Sequence, residues 1–580
     1  MGSNQALDIK NKEFMLIGGL LIIVAGLMAF FPSLNDSDTT VDWISLPLVG
    51  FPIIVSCILL AFASQESRAR KEVIAVPIRL FTLVASLIPL AISTALFFDW
   101  LILVDWELGY NEFALEKEYV WIETIGVSWH VGMDGLSFPM VWLTTFLVPI
   151  TIITTWNEKD GATYHPLLLM MGGALIGVFV ALDLFLFYVF WELTLIPMFF
   201  LILKWGGKDR RYAAQKFFIY TFCASVIMLL GLITLYFLQP EGSGAQYGTV
   251  TGRTFDMTVL FSNATAYNMG DNVFLGEDMQ NVLFAMLMIG FLVKLPAVPF
   301  HTWLPDAHVQ APTGGSMLLA GVMLKMGAYG MLRIPIAIFP DAVVYYQDVI
   351  MAIGLISLVW GAIVCLGQTN LKKMVAYSSV SHMGVILLGI ASMQPIGYAA
   401  ALFMMYAHGI ISPMLFAVCG AFKHHYHSME IGAMRGMAKH SPWLATSMMF
   451  AWMASLGLPL LAGFVAEIMM LIALWHMISL DGWSIWWMVG PALVLALTAA
   501  YYLWSMQRTI FEGGEKGQPP ANMAGHPIPD ISNSEKFAML IMAFFTILFG
   551  IMPWIGLDMM DDWTKQIFEG LIIFVGKGGA

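Results

Sequence analysis

The sequence predicts an all-α fold, a polytopic bundle of transmembrane helices, and three observations predict it. Of 580 residues, 59% are hydrophobic and only 11% are charged, less than half the charged share of a soluble domain, about 25%. Apolar stretches long enough to cross a hydrocarbon core of about 30 Å, roughly 20 residues as a helix, recur from Phe14 almost to the end. These runs are too long and too uniformly apolar for a β-barrel, whose strands alternate over segments of about 10 residues.

Taken in order, about fifteen spans emerge, near 14–31, 45–64, 80–98, 137–156, 166–182, 184–203, 213–238, 281–304, 315–338, 344–366, 372–391, 395–421, 443–478, 484–507 and 536–556. The first follows Lys10 and Lys12, is long for a signal segment and is not followed by a small-x-small cleavage site. It reads as an anchor that is retained. The run 443–478 is too long for one straight crossing and contains Gly457, Pro459 and Gly463, so it reads as a broken helix.

The loops set the expected orientation. Bases collect in every second loop: Arg68, Arg70 and Lys71; Lys204, Lys208, Arg210 and Arg211; Lys372 and Lys373; Lys423, Arg435 and Lys439. The alternate loops are acidic. The 99–136 loop carries Asp105, Glu107, Glu112, Glu116, Glu118 and Glu123 against Lys117, and the 239–280 loop carries Glu241, Asp256, Asp271, Glu277 and Asp278 against Arg253. Basic loops stay in the cytoplasm, which places the N-terminus inside and the C-terminus outside. The net charge of −12, without a basic patch, argues against nucleic acid as a partner. Cys57, Cys223, Cys365 and Cys419 lie in apolar runs without metal-ligand spacing, which predicts small core residues and no metal, disulfide or iron–sulfur framework.

Several ionisable residues break the apolar pattern. Glu192, Lys294 and Lys325 lie near the middle of their spans, Glu467 lies just past the break in 443–478, and His382 and His408 are also mid-span. A charge at the bilayer centre costs at least about 2.5–3.5 kcal/mol. These groups must therefore face the bundle interior, pair, or sit in water. Buried salt bridges that only join helices would be the plainer explanation, but apolar residues often serve that purpose as well. Proton transfer uses the same physics: a carboxylate–lysine pair of variable separation is a proton switch, and histidine suits a relay between such sites. The backbone agrees. Lys294 is followed by Leu295-Pro296-Ala297-Val298-Pro299, and Gly457-Leu458-Pro459 lies beside Glu467. Irregular backbone at membrane depth is tolerated only where it is buried or lines a wet cavity, and paired broken helices mark ion sites in transporters.

Three segments carry a resemblance. FYVFWELTLIPMFFLI (187–202), FLVKLPAVPFHTWLPDAHVQAPTGGSMLLAGVMLKMGAYGMLR (291–333) and QTNLKKMVAYSSVSHMG (368–384) are similar to the glutamate-, lysine- and histidine-bearing helices of the antiporter-like subunits of respiratory complex I. The likeness runs from about 45 to 556, and the LPDAH-x-x-AP form resembles the M-type branch of that family, equivalent to subunit 4 of the mitochondrial enzyme and to the D-type subunit of the photosynthetic form. The resemblance implies two inverted five-helix repeats and this organisation: an extra N-terminal transmembrane helix in 1–40, N-terminal helices and an acidic outer loop in 41–164, the first repeat in 165–338, the second in 339–511, and a cytoplasmic loop with a C-terminal helix in 512–580. It assigns proton transfer to Glu192, Lys294, Lys325, His382, His408 and Glu467. It further implies a multi-pass subunit of a bacterial cell (inner) membrane. That subunit would be the non-redox part of a proton-translocating NADH:quinone oxidoreductase and would sit beside other membrane subunits, two of them antiporter-like. The chain shows no dinucleotide fingerprint after a strand and no cysteine cluster, so NADH, flavin, iron–sulfur and quinone chemistry is expected in partner subunits, with no cofactor in this chain. A multi-subunit cation/proton antiporter, a membrane hydrogenase or deazaflavin-linked dehydrogenase, and a passive scaffold are the alternatives.

Because each later loop carries its own charge bias, removing residues 1–35 should leave the remaining helices correctly oriented. Reporter fusions to successive loops check this; inversion of the topology would show that the first span sets orientation.

Overall fold

The computed structural model describes residues 46–64, 68–102, 113–239, 253–262, 276–433, 436–480, 482–511 and 530–575. The expected 14–31 span, with Lys10 and Lys12, lies outside them, as does Arg435.

Among the described residues, twelve helices are long and apolar enough to cross a membrane, and Phe138–Thr154 is a shorter apolar helix. They sort by burial. Gly161–Val180, Thr313–Ile338, Leu371–Ala391 and Pro395–Tyr426 are buried almost all round, whereas Arg210–Leu238, Trp486–Phe511 and Asn533–Ile551 are buried over less than half of their length. A helix apolar on every side and buried is a core helix. The outer helices turn Ile219, Leu230, Phe237, Leu493 and Phe544 outward, as a surface meeting lipid does.

Three expected spans are discontinuous. The 281–304 span is the helix Glu277–Lys294, a break, and the short helix Trp303–Gln310. Lys294 is therefore the last residue of its helix, at the break in the middle of the span. The break keeps its backbone paired: Val298 N donates to Ser357 Oγ at 2.9 Å, and Trp303 Nε1 donates to Val293 O at 2.9 Å. The 443–478 span is broken as expected, into Pro442–Ser455 and Ala462–Leu480. The 184–203 span also divides, at Thr194, into Leu184–Leu193 and Leu195–Trp205. Its start is fixed by Asp183, whose Oδ1 accepts from Phe185 N at 2.8 Å and Leu186 N at 2.9 Å, an N-cap that satisfies donors left open by the first helical turn.

Four features depart from expectation. The 99–136 loop holds an antiparallel hairpin, Ala114–Ile122 paired with Val127–Met133; its short Tyr119-Val120-Trp121 run follows directly on charged residues and shows no strand alternation. A further helix, Trp554–Val575, follows the last expected span and packs beside Gly135, where an added Cβ would lie 2.4 Å from Met559 O. Lys372, expected in a loop, is buried in the first turn of Leu371–Ala391. Cys57 and Cys223 are exposed and not core residues; Cys365 and Cys419 are buried.

The hairpin marks one end of the bundle, and the Lys- and Arg-bearing loops mark the other. At the hairpin end, Arg333 grips Asp134 with two bonds, Nη1 to Oδ2 at 2.7 Å and Nη2 to Oδ1 at 2.5 Å, and both residues are buried. Beside it, His130 joins strand to loop: Nδ1 meets Asp256 Oδ2 at 2.9 Å and Nε2 meets Glu116 Oε1 at 2.8 Å. Burial alone would lower this imidazole's pKa; the bonds to Asp256 and Glu116 outweigh it and hold the pKa up at about 10. A raised pKa contributes stability that is complete below the free value of about 6.5 and is lost as pH rises through the folded value. The protection factors of the 127–133 amides, exchange rates divided into the base-catalysed rate of an unstructured amide, should therefore hold up to neutral pH and fall as pH approaches 10. His130→Gln should remove that fall; an unchanged profile would dissociate it from His130.

Candidate functional site

The predicted residues form two groups inside the bundle. In the first, Glu192 stands next to the end of the short helix Leu184–Leu193, close before Thr194. Glu192 is half-buried, Tyr188 and Ser225 lie beside its carboxylate, and its buried Oε1 has no hydrogen-bond partner. Lys294 is 1% exposed. Its Nζ reaches Thr194 Oγ1 at 3.5 Å and stands 5.1 Å from the centroid of the Trp191 ring, within cation–π range. Glu192 and Lys294 sense each other as charges, yet no ion pair within 4.0 Å joins them among the described residues.

The second group is a continuous row. A π-turn, Leu319–Met323, directly precedes the turn bearing Lys325, and such a turn leaves local carbonyls out of the regular ladder. Lys325 Nζ donates to the Ala320 carbonyl and to His408 Nδ1, the latter at 2.7 Å. The two helices approach because glycines face each other: a Cβ on Gly409 would lie 3.1 Å from Gly321 O. Small residues allow such crossings in membranes. The His408 and His382 ring centroids are 5.3 Å apart. His382 Nε2 is 3.1 Å from the Ser455 carbonyl and 3.9 Å from Glu467 Oε1. Nε2 must carry the hydrogen, since a carbonyl only accepts. Ser455 Oγ in turn pairs with Tyr502 OH at 2.6 Å. Glu467 rests in the second break, where a Cβ on Gly457 would lie 2.1 Å from its Oε2.

The two groups are neighbours without a direct bond. Gly327 packs on the first break, with a notional Cβ 2.7 Å from Leu295 N and from Phe291 O, but no hydrogen bond joins Lys294 to Lys325 among the described residues.

Sequence reasoning missed two residues here. Lys372 Nζ donates to Ala311 O at 2.6 Å; its neighbour Lys373 made the pair look like loop. His308 stacks on Phe416, 4.3 Å between centroids at 11°, with both ring nitrogens bare and buried. It lies within electrostatic reach of Lys325 and Lys372. Its place shortly after Thr302-Trp303, in a segment whose prolines already mark a break, was the available signal.

Each member of the second row faces a neighbour able to give or take a proton, the chemistry that a proton relay requires. Among the described residues, one His–carboxylate group has metal-ligand spacing, Glu118, His130 and Asp256. Both His130 nitrogens are already committed to carboxylates, so no lone pair is left for a metal.

A family model described as "NADH:quinone oxidoreductase/Mrp antiporter, TM" matches residues 181–494. The chain is 38% identical over 452 residues to F(420)H(2) dehydrogenase subunit M of Methanosarcina mazei, over 77% of this chain and 85% of that one. It is 37% identical over 454 residues to NADH-quinone oxidoreductase subunit M of Rhodobacter capsulatus, over 78% of this chain and 84% of that one. A chain of respiratory complex I from Thermus thermophilus with bound NADH superimposes with a TM-score of 0.74 at 25% identity, over 90% of this chain and 99% of that one.

Gly457 has φ +79° as well as the carboxylate at its Cα. Gly457→Ala should therefore push Glu467 away from His382 and add roughly 1 kcal/mol of backbone strain. Thermal unfolding in detergent and proton pumping in vesicles check the two effects; a variant normal in both would show that the break tolerates a side chain.

Proposed function

Because the chain belongs to the NADH:quinone oxidoreductase/Mrp antiporter membrane family, we infer that it is a proton-translocating membrane subunit of a respiratory, complex I-type NADH:quinone oxidoreductase. The observation that carries this reading is the buried run Lys325, His408, His382, Glu467: Lys325 is bonded to His408, the His408 and His382 rings are neighbours, and His382 Nε2 comes within 3.9 Å of Glu467 Oε1.

Electron transfer in partner subunits changes the gap between Glu192 and Lys294. When Glu192 draws near, it favours the charged lysine; when it withdraws, burial favours release of the proton. Lys325 receives the proton and passes it to His408, which has Nδ1 facing the ammonium. The imidazole pair hands it on to Glu467, and Glu467 releases it toward the hairpin end, the outer face. The N-terminus and the basic loops are cytoplasmic, and Trp554–Val575 lies outside. Segments 165–338 and 339–511 are inverted repeats, and each carries a broken helix beside one of these ionisable residues. The chain is a non-redox subunit. NADH, flavin, iron–sulfur clusters and quinone belong to its partners, which include two further antiporter-like subunits in the same cell membrane.

A second reading differs only in the electron donor. The likeness to F(420)H(2) dehydrogenase subunit M at 38% identity favours a reduced deazaflavin in place of NADH, and the identity of the co-purifying subunits decides between them.

Glu192→Gln and Lys294→Ala should each sharply reduce proton translocation in vesicles while the complex still assembles and reduces quinone. Normal pumping by either variant would refute the role assigned to that residue, and lost assembly would favour a scaffold.

A further inference from the structure

The second broken helix leaves one carbonyl without a partner in its own ladder. Ser455 is the last residue of Pro442–Ser455. The residue four places on, whose N–H would ordinarily return to the Ser455 carbonyl, is Pro459, and proline has no N–H. The freed carbonyl is taken by His382, with Nε2 at 3.1 Å, while Glu467 Oε1 stands 3.9 Å from the same nitrogen. One hydrogen thus has two acceptors within reach, and in this arrangement the carbonyl holds it. The side chain of the same serine is tied elsewhere. Ser455 Oγ and Tyr502 OH are 2.6 Å apart, and Tyr502 is a buried residue of a different helix, Trp486–Met506.

We propose that Ser455 and Tyr502 form a latch on the last transfer of the row: by holding the Ser455 carbonyl against His382 Nε2, Tyr502 decides when a proton can cross between His382 and Glu467. Tyr502 acts through Ser455 and is a positioning residue. The proposal rests on the proton-translocating reading above.

The chemistry of the carbonyl closes the latch. A carbonyl only accepts, so Nε2 carries its hydrogen as long as that bond stands. A ring nitrogen that carries a hydrogen has no lone pair to offer, so it takes no proton from Glu467. The peptide carbonyl is too weak a base to relay one in its place. The row is then shut against return from the outer face as well as against release. His382 Nδ1 is buried and bare, and the His408 ring lies 5.3 Å away, centroid to centroid. When the carbonyl withdraws, the Nε2 hydrogen can turn to Glu467 Oε1. Nδ1 then takes a proton from His408 as Nε2 gives one to Glu467. The ring has the same charge before and after, and the carboxylate becomes a carboxylic acid.

The backbone at the break is held loosely enough for its side chain to steer it. Leu458 N reaches back five residues to Met453 O at 3.2 Å, and Gly457 N meets Ala454 O at 3.4 Å. The direction of the Ser455 carbonyl is therefore set largely by what its hydroxyl grips. Tyr502 is the firmer partner. Its ring lies 4.4 Å from that of Tyr501 and 6.2 Å from that of Trp452, centroid to centroid.

The test measures backflow in the assembled complex. Vesicles carrying the complex are left without electron donor, an acid jump is applied on the hairpin-end face, and the leak is followed with an entrapped pH dye. Quinone reduction by the same vesicles gives the amount of assembled complex. Tyr502→Phe keeps the ring and removes the hydroxyl. It should raise the leak per complex roughly fivefold, the population shift that loss of one buried hydrogen bond produces. Ser455→Ala should do the same, and the two together should leak no more than either alone, because they remove one bond. Ser455→Thr, which keeps a hydroxyl, should leak like the parent. Adding Glu467→Gln to Tyr502→Phe should abolish the extra leak, since that carboxylate lies on its path; a leak that survives is damage elsewhere and overturns the latch. A parent-like leak in Tyr502→Phe, or in Ser455→Ala where Tyr502→Phe does not assemble, overturns it as well. Glu467→Gln alone separates the two levels. If it pumps normally, the translocation reading itself fails; if it does not pump while Tyr502→Phe leaks no more than the parent, only the latch fails.

Discussion

The structure depends on how the Lys325 ammonium is held inside the membrane. The group is fully buried, and a lysine at that depth must be compensated by its neighbours. Two are supplied, and both come from backbone arrangements. The π-turn Leu319–Met323 frees the Ala320 carbonyl, and the Gly321–Gly409 approach brings His408 within 2.7 Å. Neither partner carries a negative charge. The ammonium is tolerated without being locked, because a carboxylate in either place would hold the proton against release. Placing His408 fixes the crossing of the two most buried helices, and that crossing places His382 and Glu467.

The broken helices follow from the same constraint. A regular helix satisfies its own backbone and offers nothing to a buried ion. At 295–302 and 456–461 the ladder is interrupted, and the loose groups are repaired locally: Val298 N by Ser357, Leu458 N by Met453 O. The interruption puts Lys294 at a helix end and leaves room for Glu467 against a glycine with a positive φ. The cost of irregular backbone is thus met by one side chain and one neighbouring carbonyl, outside the row of ionisable groups.

How much of this was legible depends on what kind of signal each residue leaves. Glu192, Lys294, Lys325 and Glu467 were legible because a charge in an apolar run has few excuses, and the prolines and glycines beside them announced the breaks. His382 and His408 were legible as polar residues in mid-span. Lys372 was not, because burial at a helix end leaves the same sequence trace as a loop lysine. His308 was hidden by a segment rich in turn-forming residues. The hairpin was hidden because its outward strand, Ala114–Ile122, alternates weakly and carries Glu116 and Glu118; its pairing is settled by contacts to Asp183, Asp256 and Ala181 far along the chain. Tertiary contacts of that kind cast no local pattern.

Two buried acid–base pairs show what separates support from function. Asp134 and Arg333 are joined by two bonds, and Leu136 N, Ser137 N and the Tyr329 hydroxyl fill the remaining positions. Every donor and acceptor has one arrangement, arginine does not give up its proton, and breaking such a pair would strand a charge at a cost of about 3–5 kcal/mol. That pair is a fixed joint. Glu192 and Lys294 are built oppositely. They lie beyond ion-pair distance, one carboxylate oxygen is bare, and the lysine leans on a hydroxyl and a ring face. Lysine can lose its proton when buried, and the incomplete shell does not pin this one. On the proton-transfer reading, arginine stands where the contact must hold and lysine where it must let go. That division, more than the presence of buried charge alone, is why the second pair reads as machinery.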